Sequence, residues 1–125
     1  MIITSFSTIL FCSEKNSVSI DAEKSKKMID ENKNNKDFII IDVRTPQEYS
    51  QGHIENSINI DFYAPDFQEK ISALDRNKTY LVYCRSGNRS AQSIPVFQKA
   101  GIKNFFNMTG GFSDWVSRNF PFTVK

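Results

Sequence analysis

Histidine occurs once and cysteine twice in this chain, and no Cys-x-x-Cys pair is present. A structural zinc site, which takes four such ligands, is therefore not expected, and neither a metal nor a cofactor enters the reading. With His53 the sole histidine, any Ser/His or Cys/His catalytic array would have to be built on that residue. A disulfide would require Cys12 to meet Cys84. Charge of one sign is also lacking: sixteen Lys and Arg against fourteen Asp and Glu give a net charge of +2, and the basic residues are scattered along the chain. Nucleic acid is thus not indicated as a partner, although local positive potential for a small anion remains open.

What is present suits one compact domain. The 125 residues leave no room for two independent cores, and 39% hydrophobic content with eleven Phe supplies one. Residues 1–12, MIITSFSTILFC, form an apolar run too short to span a bilayer, with no Lys or Arg before it. Followed by the polar SEKNSVS, it resembles the end of a bacterial lipoprotein signal and its tether, although Phe11 suits an acylated Cys12 poorly. The alternative is a frayed terminus. The expected layout is residues 1–19 as this run and tether and 20–125 as the domain. The expected location is cytoplasmic, or the cell envelope (periplasmic or lipid-anchored) if Cys12 is acylated.

From Ile20 onward, strand and helix patterns alternate. DAEKSKKMIDENK predicts a short helix capped by Asp21 with Ala22, Met28 and Ile29 inward; FIIID, residues 38–42, is an unbroken apolar run suited to a strand covered on both faces. Thr45, Pro46 and Glu48 read as cap, first helical position and capping-box partner of a helix that Gly52 stops. SINI (57–60) predicts a strand, and APDFQEKISAL a helix with Phe67, Ile71 and Leu74 on one face. YLVY (80–83) is a further strand leading into Cys84 and a loop, then a helix that ends at Gly101 and that Pro95 should kink or divide. NFFN (104–107), a Thr109-Gly110-Gly111 turn and a terminal helix burying Phe112, Trp115 and Val116 complete the chain. This alternation implies an α/β domain with a mostly parallel sheet and helices on both faces.

Cys84 stands at the carboxyl end of a strand and just before a helix, where open α/β sheets place their ligands. A helix start with unpaired N–H groups, a glycine-permitted curve at Gly87 and the cations Arg85 and Arg89 make an anion site. Such surroundings lower the pKa of Cys84 below the free value of about 8.5 and yield a reactive thiolate without a histidine base. The competing reading is an inert buried thiol at a strand end.

Three separated motifs resemble those of the rhodanese-like sulfurtransferases. They are Ile41 to Tyr49 (IDVRTPQEY) with Gly52-His53-Ile54 and Ser57 to Ile60; Tyr83 to Ser90 (YCRSGNRS); and Thr109-Gly110-Gly111-Phe112 with Trp115. The motifs stand in order, and the resemblance covers about residues 20 to 122. The resemblance implies a rhodanese-like single domain, monomeric, of bacterial type, that moves sulfane sulfur from a thiosulfate-like anion to cyanide, a small thiol or a protein thiol through a Cys84 persulfide. It further implies that the amides of Ser86, Gly87, Asn88, Arg89 and Ser90 cradle the transferred sulfur, and that Arg85 and Arg44 hold the sulfonate end of the donor. For Arg44 a structural ion pair is the equal alternative; Arg89 has the alternative of bracing the loop from within. Asp42 reads as a structural partner for an arginine, His53 as a packing residue.

Two rivals use similar chemistry. A Cys-x5-Arg phosphatase needs one more residue than the four that separate Cys84 from Arg89. A persulfide carrier without turnover of its own differs in class from an enzyme, and the presence of Cys84 does not separate the two.

Overall fold

The computed structural model describes residues 18–125. The amino-terminal run and Cys12 lie outside the described residues. Five parallel strands form one sheet in the order β1-β5-β4-β2-β3, with β1 at Ser19–Ile20, β2 at Phe38–Asp42, β3 at Ile58–Asn59, β4 at Thr79–Tyr83 and β5 at Asn104–Met108. Between them run α1 (Ala22–Glu31), α2 (Pro46–Gln51), α3 (Phe67–Ser72) and α4 (Asn88–Lys99), and α5 (Gly111–Ser117) follows β5.

The alternation of side chains along the strands divides the core in two. Ile41, Tyr80, Val82 and Phe105 pack on one face with Phe67 and Ile71 of α3 and Phe97 of α4. Ile40, Leu81, Tyr83 and Met108 pack on the other with Ala22 of α1 and Trp115 of α5. Strands covered on both sides must be apolar at consecutive positions, which is why FIIID carries no alternation.

Several expectations change in detail. Pro95 does not divide α4, which runs unbroken from Asn88 to Lys99. Pro95 and Ala91, whose carbonyl loses its helical donor, are both exposed, so water can take the bond that proline removes. Val116 is 38% exposed instead of buried, because the inward stripe of α5 runs through Gly111 and Trp115 and leaves Val116 on its flank. The strand predicted at 57–60 is only two residues long, and the helix predicted from Ala64 begins at Phe67. β1, which the sequence pattern did not reveal, pairs two residues with β5 at the sheet edge.

From β2 the chain moves to β3 on one side, then returns to β4 on the other. The order therefore reverses between β2 and β4, whose last residues Asp42 and Tyr83 are direct partners. This is the crevice in which such sheets bind ligands. Phe97 is fully buried, stacks on Phe105 at 5.5 Å and lies tilted against Tyr80 at 6.4 Å. Phe97→Ala is expected to cost about 3–5 kcal/mol in a urea titration, with little change at the opposite face.

Candidate active site

Cys84 follows β4 directly, and its side chain is 1% exposed. Its Sγ accepts hydrogen bonds from the Gly87 N–H at 3.1 Å and the Ser90 N–H at 3.4 Å, and lies 3.4 Å from the Ser90 hydroxyl. Burial pushes the thiol up, but the Ser90 hydroxyl and the N–H groups of Ser90, Gly87 and Ser86 together outweigh it and hold Cys84 below its ordinary value. Donors that favour the charged form thus surround the sulfur and shift its equilibrium toward the thiolate.

The curve that aims these donors depends on two glycines. Gly87 caps α4 in the left-handed region, at φ 99°, and a Cβ there would meet the Gly110 nitrogen at 3.2 Å. Gly111, at φ 58°, is tighter: a Cβ would stand 2.5 Å from the carbonyl carbon and oxygen of Arg85 and 2.6 Å from the Cys84 oxygen. From this close packing the Phe112 N–H donates to the Cys84 carbonyl at 2.8 Å and the Ser113 N–H to the Arg85 carbonyl at 2.9 Å. The third motif therefore lies beneath the second as its support.

The predicted site residues are not all brought to the sulfur. Ser86, Gly87 and Ser90 are. Asn88 opens α4 exposed to solvent and makes no hydrogen bond to Sγ. The Arg89 guanidinium turns to Glu48, with Nη1 2.8 Å from Oε1 and Nη2 3.0 Å from Oε2, and its carbon stands 5.6 Å from the centre of the Tyr63 ring. Arg44 is buried, bonds Asp42 through Nε and Nη2, donates to the Gly52 carbonyl at 2.6 Å and covers Phe112 at 4.4 Å. Asp42 thus has the arginine partner expected for it. Arg85 is the loop cation left outward, 68% exposed, with a long 3.9 Å contact to Glu48. Beside it opens a cleft of about 350 Å³ bordered by Arg44, Glu48, Gln51, Phe112, Ser113 and Val116. His53 is buried, stacks on Tyr49 at 3.7 Å and pairs its backbone with Thr123.

Sequence reasoning missed the second duty of Glu48. Its capping box with Thr45 is present as expected, yet the same carboxylate holds Arg89, 41 residues away. Local spacing carries no signal of such a contact. The Arg89 bond, and after it the Thr45 N–H, draw the Glu48 carboxyl down to about 2 despite partial burial. Among the described residues no three His, Cys, Asp or Glu side chains are arranged to hold a metal ion, and no helix is long and apolar enough to cross a membrane.

Comparison with known proteins agrees with this fold. The family model for the rhodanese-like domain matches residues 21–118. The chain belongs to the rhodanese-like family. A putative mitochondrial thiosulfate sulfurtransferase of Schizosaccharomyces pombe is 35% identical over 112 residues, covering 81% of this chain and 79% of that protein. A rhodanese-like domain-containing protein of Arabidopsis thaliana is 30% identical, covering 90% and 77%. The crystal structure of a rhodanese-related protein from Thermoplasma volcanium superposes with a TM-score of 0.71 at 34% identity, over 86% of this chain and 98% of that one. The rhodanese-like fold, a parallel sheet with helices on both faces, is thus common to this chain and its relatives.

Two outcomes test the site. Gly111→Ala should cost at least about 3 kcal/mol through strain and overlap, and in the protein that folds it should raise the Cys84 pKa, followed by thiolate ultraviolet absorbance against a Cys84→Ala reference. Glu48, with its folded pKa of about 2 below the ordinary 4.5, adds stability above pH 4.5 that disappears as pH falls toward 2. Glu48→Gln should therefore lose roughly 1–2 kcal/mol at pH 7, allowing for partial exposure. Urea titrations from pH 7 down to pH 2.5 should show that gap closing.

Proposed function

We propose that this protein is a sulfurtransferase in which Cys84 takes the sulfane sulfur of a thiosulfate-like donor and passes it to a thiophilic acceptor. The observation that carries the reading is the Cys84 sulfur ringed by Ser86, Gly87 and Ser90 donors with no histidine beside it. Relatives named as thiosulfate sulfurtransferases support sulfur transfer at the level of the family.

In the first half-reaction the Cys84 thiolate attacks the donor's outer sulfur. The bond from that sulfur to the sulfonyl group breaks, sulfite leaves with the electron pair, and a Cys84 persulfide remains. The persulfide's outer sulfur is anionic, and the same amides that hold the thiolate lie ready for it. Because these donors are backbone groups fixed by the fold, they need no rearrangement as charge moves outward by one atom. Cyanide or a thiolate then attacks the outer sulfur and returns Cys84 to its thiolate. On this reading Arg85, exposed at the rim, meets the sulfonate end. Arg44 and Arg89, each bonded to its own carboxylate, act on this reading as braces of the loop.

A carrier that relays its persulfide to a partner protein would use the same first step, and the rate of the second step separates the two. The protein given thiosulfate and cyanide should form thiocyanate catalytically, and mass spectrometry should find one added sulfur atom on Cys84. Cys84→Ser should abolish both while leaving the thermal melt in place. Thiocyanate formation at the original rate by Cys84→Ser would remove Cys84 from the chemistry; persulfide formation without turnover would favour the carrier.

A further inference from the structure

On the reading of Cys84 as the sulfur acceptor, we propose that the site favours singly charged sulfane donors carrying an organic group over the thiosulfate dianion, and that Glu48 sets this preference. Two independent features lead there. The first is the charge held at the mouth. Arg89 is gripped through both nitrogens by Glu48 and faced by Tyr63, with its side chain only 15% exposed, so it is not free to meet a donor. Arg85 alone is turned outward, and even it has the Glu48 carboxylate 3.9 Å away.

With Cys84 ionised, the two loop guanidiniums are cancelled by the Glu48 carboxylate and the thiolate, just as Arg44 is cancelled by Asp42. A donor therefore enters a mouth with no surplus positive charge. A dianion brings one more uncompensated negative charge there than a monoanion does, and gives up a larger hydration shell to enter.

The second feature is the cleft. It adjoins Arg85, has Phe112 and the half-exposed Val116 along one wall and Gln51 and Ser113 as polar points, and encloses about 350 Å³. Sulfite as a leaving group needs no such room. An organic leaving group would lie along the apolar wall while its anionic end stays with Arg85.

The donor class that fits both features is an organic thiosulfonate or persulfide. For a thiosulfonate R–SO2–S⁻ the step balances without a proton, oxidant or reductant. The Cys84 Sγ to outer-sulfur bond forms, the bond from outer sulfur to sulfonyl sulfur breaks, and the sulfinate R–SO2⁻ departs with the electron pair. Two negative charges enter and two remain, one on the sulfinate and one on the persulfide.

Three donors separate charge from bulk: thiosulfate, a dianion; methanethiosulfonate, a monoanion of similar size; and p-toluenethiosulfonate, a monoanion with an aromatic body. Thiocyanate formation is followed with the full chain and its Glu48→Gln variant. The variant keeps a side-chain amide oxygen for the Thr45 capping box. Differences in intrinsic donor reactivity cancel when the ratio of kcat/KM for methanethiosulfonate to that for thiosulfate is compared between the two proteins. Glu48→Gln is expected to lower that ratio about tenfold, the effect of one partly screened charge. In the native protein p-toluenethiosulfonate is expected to show a KM about tenfold below that of methanethiosulfonate, in keeping with burial of one aromatic ring. Ratios equal within twofold in the two proteins overturn the role of Glu48, and equal KM values for the two thiosulfonates overturn the role of the cleft. Should no donor leave a persulfide on Cys84, the sulfurtransferase reading fails and this proposal with it; flat ratios with persulfide formed defeat the proposal alone.

Discussion

The orientation of two peptide groups controls the chemistry available to Cys84. A trans peptide is planar, with its C=O and N–H pointing in opposite directions. Once the Arg85 carbonyl is bound by the Ser113 N–H on the α5 side, the Ser86 N–H must point the other way, toward the sulfur. The Cys84 carbonyl is held likewise by Phe112. The Ser86 member of the donor ring is thus aimed from behind. Gly111 is the contact point, since any side chain there would drive α5 off the loop and release both carbonyls.

Behind this ring, cations and carboxylates are paired so that the loop has one orientation. Arg44 with Asp42 ties the end of β2 to Gly52, and Asn59 closes the same corner by donating to the carbonyls of Asp42 and Arg44. Arg89 with Glu48 ties the start of α4 to α2. Both pairs are bidentate and at least partly shielded, the geometry in which an ion pair specifies position better than it adds stability. The result is a rigid anion site with Arg85 as its outward cation. Local positive charge in the sequence overstated what is free for a ligand, because two of the three nearby arginines are committed to the fold.

What the sequence made legible was everything with a local signature. The buried strand at 38–42, the Thr45 capping box, the strand-loop-helix at Cys84 and the glycine curve at 87 each follow from neighbours within a few residues, and each is present. Less legible was whatever depends on distant partners. β1 is two residues long and exists because β5 offers an open edge; the Glu48 to Arg89 bond joins helices far apart in the chain; Tyr63 reaches the site from the loop after β3. That Pro95 does not divide α4 has a related reason. A proline penalty depends on whether the freed carbonyl is buried, and only the tertiary structure shows that face of α4 to be solvated.

The source of the thiolate's stability also differs from what the charges alone imply. Two neighbouring arginines would have made Cys84 an ion whose pKa rises as salt screens them. The structure instead surrounds it with a hydroxyl and three amides inside a nearly closed pocket. Dipoles a hydrogen-bond length away are screened little by dissolved ions, and they keep the aim that the backbone gives them. Burial, which opposes ionisation, would on the proposed reading also keep water from a Cys84 persulfide. The amide ring makes that burial tolerable for an anion, and the burial makes the ring effective, so neither is functional without the other.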